Sequence, residues 1–248
     1  MIKIDDPLRK ELLQNTRFSM MPYENRYEAL QKYAELPTST KKGMAKAYKD
    51  GFGGPPWKEV CECPNCGAYS PDTICRTEKC GAINLPEAYP IARLLEKDFP
   101  DMLTSFVPGV VVIAQNIENG VVGFCAGGMT TIDTLLFKKW NSNQRIGDSI
   151  RTKTGIKTGQ SFFYENEMVV NPKFQDKGIG SQLNKQRLNW IMSRGIDIVV
   201  GRSININLIN MKNRQMPERG FSMKVFVPDG DTYAVDGARR QCYFAQRK

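Results

Sequence analysis

The run Glu167-Met168-Val169-Val170-Asn171-Pro172-Lys173-Phe174-Gln175-Asp176-Lys177-Gly178-Ile179-Gly180-Ser181-Gln182-Leu183 decides how the rest of the chain is read. A strand-forming stretch stops at Asn171-Pro172. Two glycines one residue apart follow, and then a segment of helical period. Ile179, Leu183 and Trp190 fall on one stripe with Ile191 beside it, which predicts an amphipathic helix over residues 178–194. A strand that turns sharply into a helix exposes the unpaired amides of the first helical turn. The helix dipole makes that end a natural cradle for phosphate. Gly178 and Gly180 let backbone and ligand approach without a Cβ between them, and Lys173, Lys177 and Lys185 add positive charge nearby. The Lys-Ser/Thr pair of a Walker loop is missing, and a single glycine pair is not a dinucleotide fingerprint. On spacing alone, a tight structural junction is the competing reading.

Outward from this run, residues 161–170 form its strand. Upstream, residues 110–116 and 121–127 are rich in β-branched side chains, and Glu118-Asn119-Gly120 between them favours a tight hairpin. Downstream come a strand at 196–202, an Asn-rich segment and a last hairpin through Pro228-Asp229-Gly230. Strands interleaved with helices imply an α/β or α+β domain. Residues 137–160 are polar and basic and read as an irregular insertion or mobile loop. Residues 84–99 read as a helical segment closed by Pro100. Residues 7–50 read as helices broken at Pro22, Pro37 and Gly43, and Gly51-Phe52-Gly53-Gly54-Pro55-Pro56 reads as a linker.

Val170-Asn171-Pro172 followed by Gln175-Asp176-Lys177-Gly178-Ile179-Gly180 resembles the acetyl-coenzyme A motif of the GNAT N-acetyltransferases, Arg/Gln-x-x-Gly-x-Gly/Ala after a strand ending Val-x-Pro. The order of elements and the late Gly220-Phe221 pair are similar to that family too. The resemblance covers roughly residues 85–248. It implies a GNAT fold, a mixed central sheet flanked by helices, preceded by a helical leader (1–56) and a small zinc module (57–84). It also implies an acyltransferase in which acetyl-CoA is attacked directly by an acceptor amine. The backbone of Met168, Val169 and Val170 would meet pantetheine, and Gln175, Asp176, Lys177, Gly178, Ile179, Gly180 and Ser181 would hold the pyrophosphate. Asn207 and Asn210 are candidates for a further coenzyme contact, with capping or turn roles as the alternative. Strand alternation puts Glu165 and Glu167 on one face with Phe163 and Val169. These two carboxylates are the candidates for the catalytic base, Glu167 preferred, unless a bulge changes their faces. One departure stands out: the family often has a Tyr shortly before Gly-Phe as acid for the departing thiolate. Here Gln215, Met216 and Pro217 occupy that stretch.

Cys61-Glu62-Cys63-Pro64-Asn65-Cys66-Gly67, with Cys75 and Cys80-Gly81, has the spacing and turn chemistry of a zinc knuckle. Cys63, Cys66, Cys75 and Cys80 are the expected ligands, with Cys61 as a substitute. Cys125 and Cys242 fall in strands and read as core. A catalytic cysteine is disfavoured, because the chain contains no histidine. The same lack removes the usual neutral-pH acid–base group.

Among 248 residues, 35 Lys and Arg face 26 Asp and Glu, a net charge of +9. The excess gathers at residues 138–160, at 173–224 and in the tail with Arg239, Arg240, Arg247 and Lys248. Such patches suit an acidic or nucleic-acid partner as well as a phosphorylated coenzyme. No apolar run approaches the ~20 residues of a membrane span. The polar start, residues 1–6, argues against a secretory segment, so a cytoplasmic location without membrane association is expected. The leading functional expectation is acetyl transfer to an amine on a macromolecule, protein favoured over RNA. The alternatives are a small-amine acetyltransferase and a GNAT-fold binding protein without catalysis.

Overall fold

A computed structural model describes residues 7–231 and 240–248. The chain begins with α1 (Pro7–Gln14), β1 (Thr16–Tyr23), α2 (Arg26–Glu35) and α3 (Thr38–Gly53). The cysteine segment carries a two-stranded ribbon, β2 (Cys61–Glu62) and β3 (Tyr69–Ser70). A helical run follows, made of α4 (Ile91–Arg93), a π-helical turn (Leu94–Asp98) and α5 (Phe99–Ser105). Then come β4 (Gly109–Asn116), β5 (Gly120–Thr130), α6 (Ile132–Lys139), α7 (Gln144–Thr154) and β6 (Phe162–Val170). After a 3-10 turn (Pro172–Phe174) the chain continues as α8 (Ile179–Ser193), β7 (Ile198–Ser203), α9 (Ile206–Glu218), β8 (Phe221–Phe226) and β9 (Gln241–Arg247).

Seven strands form one sheet in the order β1-β4-β5-β6-β7-β9-β8. Only the β6–β7 pair is parallel among the paired strands. The Val110-Val111-Val112-Ile113 run is buried on both faces, as an unbroken apolar strand must be. Asn116 Oδ1 accepts from the amides of Glu118 and Asn119 and closes the β4–β5 hairpin where Asn119-Gly120 predicts it. One face packs Val110, Val112, Cys125, Phe163 and Val199 against Ile179, Leu183, Trp190 and Ile191 of α8, with Ile209 and Met216 of α9. The opposite face packs Val111, Ile113, Phe124 and Val169 against α2, α3 and α5. Beside that second core, α6 and α7 cover Phe162, Tyr164, Val200 and Phe244. This is the mixed sheet flanked by helices that the GNAT resemblance implies. No helix among the described residues is long and apolar enough to cross a membrane.

Several local readings need correction. Residues 16–23 are not helical but an edge strand, paired antiparallel with β4 from Thr16–Asn116 to Tyr23–Gly109. Pro22 fits there because an edge strand tolerates a missing donor, and the partner that decides its conformation lies about ninety residues away. Gly43 does not break α3. It sits inside the helix, where a Cβ would approach Val121 Cβ to 2.9 Å, so its bareness seats α3 on β5. Residues 137–160 are not an irregular loop but mostly helix. Asn143 caps α7, Gly155 ends it at φ 76°, and Ile146 and Ile150 point into the core. Similarly, the 84–99 helix starts only at Ile91, and Pro100 lies in the first turn of α5 instead of closing a helix. Residues 1–6 and Arg239 lie outside the described residues.

Candidate active site

The parallel strands β6 and β7 pair at three positions only, Phe163–Val199, Tyr164–Val200 and Glu165–Gly201. Beyond these, β6 stays paired with β5 while β7 ends at Ser203 and leads into α9. The strands therefore part, and a cavity of about 210 Å³ occupies the gap. It passes through the sheet. Met168, Arg187, Leu208 and Tyr243 line it on the α8–α9 side, and Tyr48, Trp57, Tyr69 and Tyr89 on the α3 side.

At the end of β6, Asn171 Oδ1 accepts from Lys173 N at 3.1 Å, and Gln175 Nε2 donates to Val170 O at 3.1 Å. Together they fold the turn that aims the chain into α8. Asp176 and Gly178 both have positive φ, 59° and 90°. No side chain caps α8, so its first amides are not claimed by a local acceptor. A Cβ on Gly180 would come no closer than 3.6 Å to Val170 Cγ2, so the fold itself does not require glycine there. Its bareness leaves open space at an uncapped helix start, which fits a pyrophosphate. Residues 175–181 stand beside Met168, Val169 and Val170. Val169 itself packs into the α3-side core, whereas Met168 and Val170 face α8.

The two carboxylates do not share a face. The β5–β6 register steps from Ala126–Glu167 to Gly128–Tyr164, so β6 carries an extra residue. This bulge sends Glu165 toward α8 and α9 and Glu167 toward α3 and α6. Glu165 is fully buried. Arg187 pairs with it at 3.1 Å, Lys212 pairs with it and also donates to Asn184, and the Tyr243 hydroxyl donates to it. Burial alone would raise its pKa, but Arg187 and Lys212 outweigh that and hold it below the usual carboxylate range. Its carboxylate is thus engaged by two cations and a hydroxyl. Glu167 lines the cavity with Lys139 at 3.6 Å. Burial pushes its pKa up, against the pull of Lys139, Arg202 and Arg240. Arg187 Nη1 donates to the carbonyls of Ala126 (3.0 Å) and Glu167 (3.1 Å), and so ties down the bulge that orients Glu167.

Asn207 and Asn210 are exposed on α9 and do not line the cavity. The cap is Asn205, which accepts from Asn207 N and Leu208 N at 2.9 and 3.3 Å. Of the stretch Gln215-Met216-Pro217, Met216 is buried in the core. Much of the cavity lining is not legible in the sequence, Tyr48, Trp57, Glu59, Tyr69 and Tyr89 among it. These residues come from segments with no shared motif.

The thiols of Cys63, Cys66, Cys75 and Cys80 lie within 4.8 Å of one another, with Cys63–Cys80 and Cys66–Cys75 each at 3.6 Å. Cys61 is buried outside this group. Four soft donors converging in a segment with little core of its own fit tetrahedral zinc. Cys125 and Cys242 are buried in strands, as expected.

The sequence matches no known family model and no curated protein. Among solved structures, the chain is similar to a Corynebacterium glutamicum protein described as histone acetyltransferase HPA2 and related acetyltransferase. The identity is 13% over 93% of this chain and 96% of that one, with a TM-score of 0.49. It is similar to a mosquito arylalkylamine N-acetyltransferase at 9% identity (93% and 99% covered, TM-score 0.47). It is also similar to a Drosophila melanogaster polyamine N-acetyltransferase at 12% identity (93% and 100%, TM-score 0.46).

Proposed function

We propose that this chain is an acetyl-CoA-dependent N-acetyltransferase of the GNAT class. The observation that carries the reading is the parting of β6 from β7 directly before an uncapped helix start. It leaves a cavity through the sheet with a coenzyme side and an acceptor side. When bound, acetyl-CoA supplies an activated thioester. Amides of residues 175–181 hold its pyrophosphate, and the backbone of Met168, Val169 and Val170 aligns its pantetheine arm. The cavity excludes bulk water and fixes the amine in line, which is where much of the acceleration arises.

Glu167 takes the proton that the acceptor amine must lose. A carboxylate whose pKa burial raises suits that task. The acceptor is a primary amine entering end-on from the α3 side. A protein amine and a small amine both present such a group. Zinc held by Cys63, Cys66, Cys75 and Cys80 stabilises the wall that carries Trp57 and Tyr69. Reduced, unpaired cysteines agree with a cytoplasmic setting.

The test is calorimetric titration with acetyl-CoA, followed by thiol release in the presence of candidate amines. Saturable binding with amine-dependent release is expected. No binding would overturn the reading. Binding without release for any amine would instead mark a GNAT-fold binding protein.

A further inference from the structure

The acceptor side of the cavity carries information about the amine itself. Its wall is aromatic. Tyr69 packs on Tyr89 at 5.6 Å between ring centroids, Tyr48 meets Tyr89 edge-on at 5.2 Å, and Phe52 lies 5.2 Å from Trp57. The charged side chains of the lining are all paired. Lys139 pairs with Glu167 at 3.6 Å, Arg202 with Asp231 at 3.2 Å, Arg240 with Glu59 at 3.4 Å and Arg187 with Glu165 at 3.1 Å. The Tyr89 hydroxyl donates to Glu59 as well. Four cationic side chains (Lys139, Arg187, Arg202, Arg240) stand against three carboxylates (Glu59, Glu165, Glu167), a balance that disfavours a second ammonium in this cavity, with Asp98 and Asp101 lining only the adjoining one. Four buried polar atoms of the lining lack a hydrogen-bond partner; Glu165 Oε1, Arg187 Nε and Arg240 Nε belong to ion-paired groups, and the fourth is a neutral acceptor. Asn166 Oδ1, beside Glu167, is buried and has no hydrogen-bond partner among the described residues. A buried acceptor without a donor is costly unless a ligand supplies one.

We infer, resting on the transferase reading above, that the acceptor is a monoamine with an uncharged aromatic body. Its N–H donates to Asn166 Oδ1 next to Glu167, and its ring lies among Trp57, Tyr69 and Tyr89. Aromatic rings meet such walls in offset or edge-on packing, which favours them over an aliphatic chain of equal size. Trp57 shortly precedes the cysteine cluster and Tyr69 lies within it, so the zinc-bearing segment selects the acceptor as well as stabilising the fold. In the transfer, the amine nitrogen forms a bond to the acetyl carbon, the carbon–sulfur bond breaks with its electron pair going to sulfur, and the amine proton goes to Glu167.

The free chain is titrated with tryptamine, phenethylamine and spermidine, without coenzyme and then with CoA. A peptide beginning with Trp separates a protein source of the aromatic amine from a free one. Turnover with acetyl-CoA is measured for the same four. The aromatic amines are expected to bind and to be acetylated with kcat/KM roughly tenfold or more above spermidine. Trp57→Ala and Tyr69→Ala should each raise KM for tryptamine severalfold while leaving CoA affinity unchanged, which also shows that the variants fold. A higher kcat/KM for spermidine, or tryptamine affinity untouched in both variants, overturns the inference. If wild-type protein binds tryptamine but not acetyl-CoA, the transferase reading fails and the aromatic site stands.

Discussion

The two sides of the cavity are built by different means. On the α8 side the geometry is made by backbone: a strand end, a turn held by Asn171 and Gln175, two glycines and an uncapped helix start, all within residues 167–183. On the α3 side it is made by side chains from separate segments, Tyr48, Trp57, Tyr69, Tyr89, Lys139 and Arg240, part of them on a segment held by four thiols. A ligand common to many enzymes can be met by backbone, because phosphate asks only for amides. A particular acceptor has to be met by side chains. The coenzyme side should therefore tolerate damage elsewhere, and the acceptor side should be fragile.

The most severe break is metal removal. Purified protein should contain one zinc per chain. Stripping it should loosen residues 57–83 and abolish acceptor turnover, because metal binding and local folding are one process in such a segment. Acetyl-CoA affinity, measured by calorimetry on the same sample, should hold. Protein prepared reduced and without chelator that lacks zinc, yet turns over fully, would erase the contrast between the two sides.

Next in size is the charge cluster between them. Glu165→Gln leaves Arg187 and Lys212 buried without an anion and should cost about 3–5 kcal/mol in denaturant unfolding. Lys212→Met removes the surplus cation and leaves the Glu165–Arg187 pair intact, so its loss should be clearly smaller. Burial lowers the Lys212 pKa from 10.5 to about 7. Between those values the unfolded chain holds a proton on Lys212 that the folded one does not, so the contribution of Lys212 to stability should rise with pH across that window. Lys212→Met should flatten the rise. Equal losses in the two variants would show that the cluster is not one carboxylate shared by two cations.

Glu167→Gln tests the boundary itself. Turnover should fall about 100-fold, with coenzyme affinity unchanged. In the wild type the rate should rise with pH through the raised pKa of Glu167, since the base must be deprotonated, and the variant should lack that inflection. A variant with the same inflection would move the base elsewhere.

What the sequence discloses follows the same division. The 167–183 run is local, so its strand, turn and helix are legible from period and glycine spacing. The four clustered cysteines are legible for the same reason. The faces of Glu165 and Glu167 are not, because the bulge is fixed by Arg187 reaching from α8 to the carbonyls of Ala126 and Glu167. β1 is not legible because its pairing with β4 is non-local. The signs of α7 were present, an Asn cap at 143 and a Gly stop at 155, but the basic composition of residues 138–160 hid the short Ile146–Ile150 stripe.

The mildest prediction isolates the coenzyme side. Gly178 is a poor probe: at φ 90° any side chain is strained, and a Cβ would stand 3.0 Å from Arg9 Nη2 and 3.4 Å from Leu13 Cδ1 of α1. Loss of binding in a Gly178 variant would confound ligand contact with a displaced α1. Gly180 is free of both objections, since its Cβ would meet only Val170 Cγ2 at an ordinary 3.6 Å. Gly180→Ala should therefore leave thermal unfolding within about 1 °C or slightly raised, because alanine favours the helix over glycine. Its acetyl-CoA affinity should nevertheless drop roughly tenfold, because the methyl group fills the space that phosphate needs beside the helix amides. Acetyl-pantetheine, which has no pyrophosphate, should bind wild type and variant alike. Equal loss for both ligands would place the damage in the pantetheine channel, and no loss for either would show that residues 175–181 are a structural junction and not a phosphate cradle.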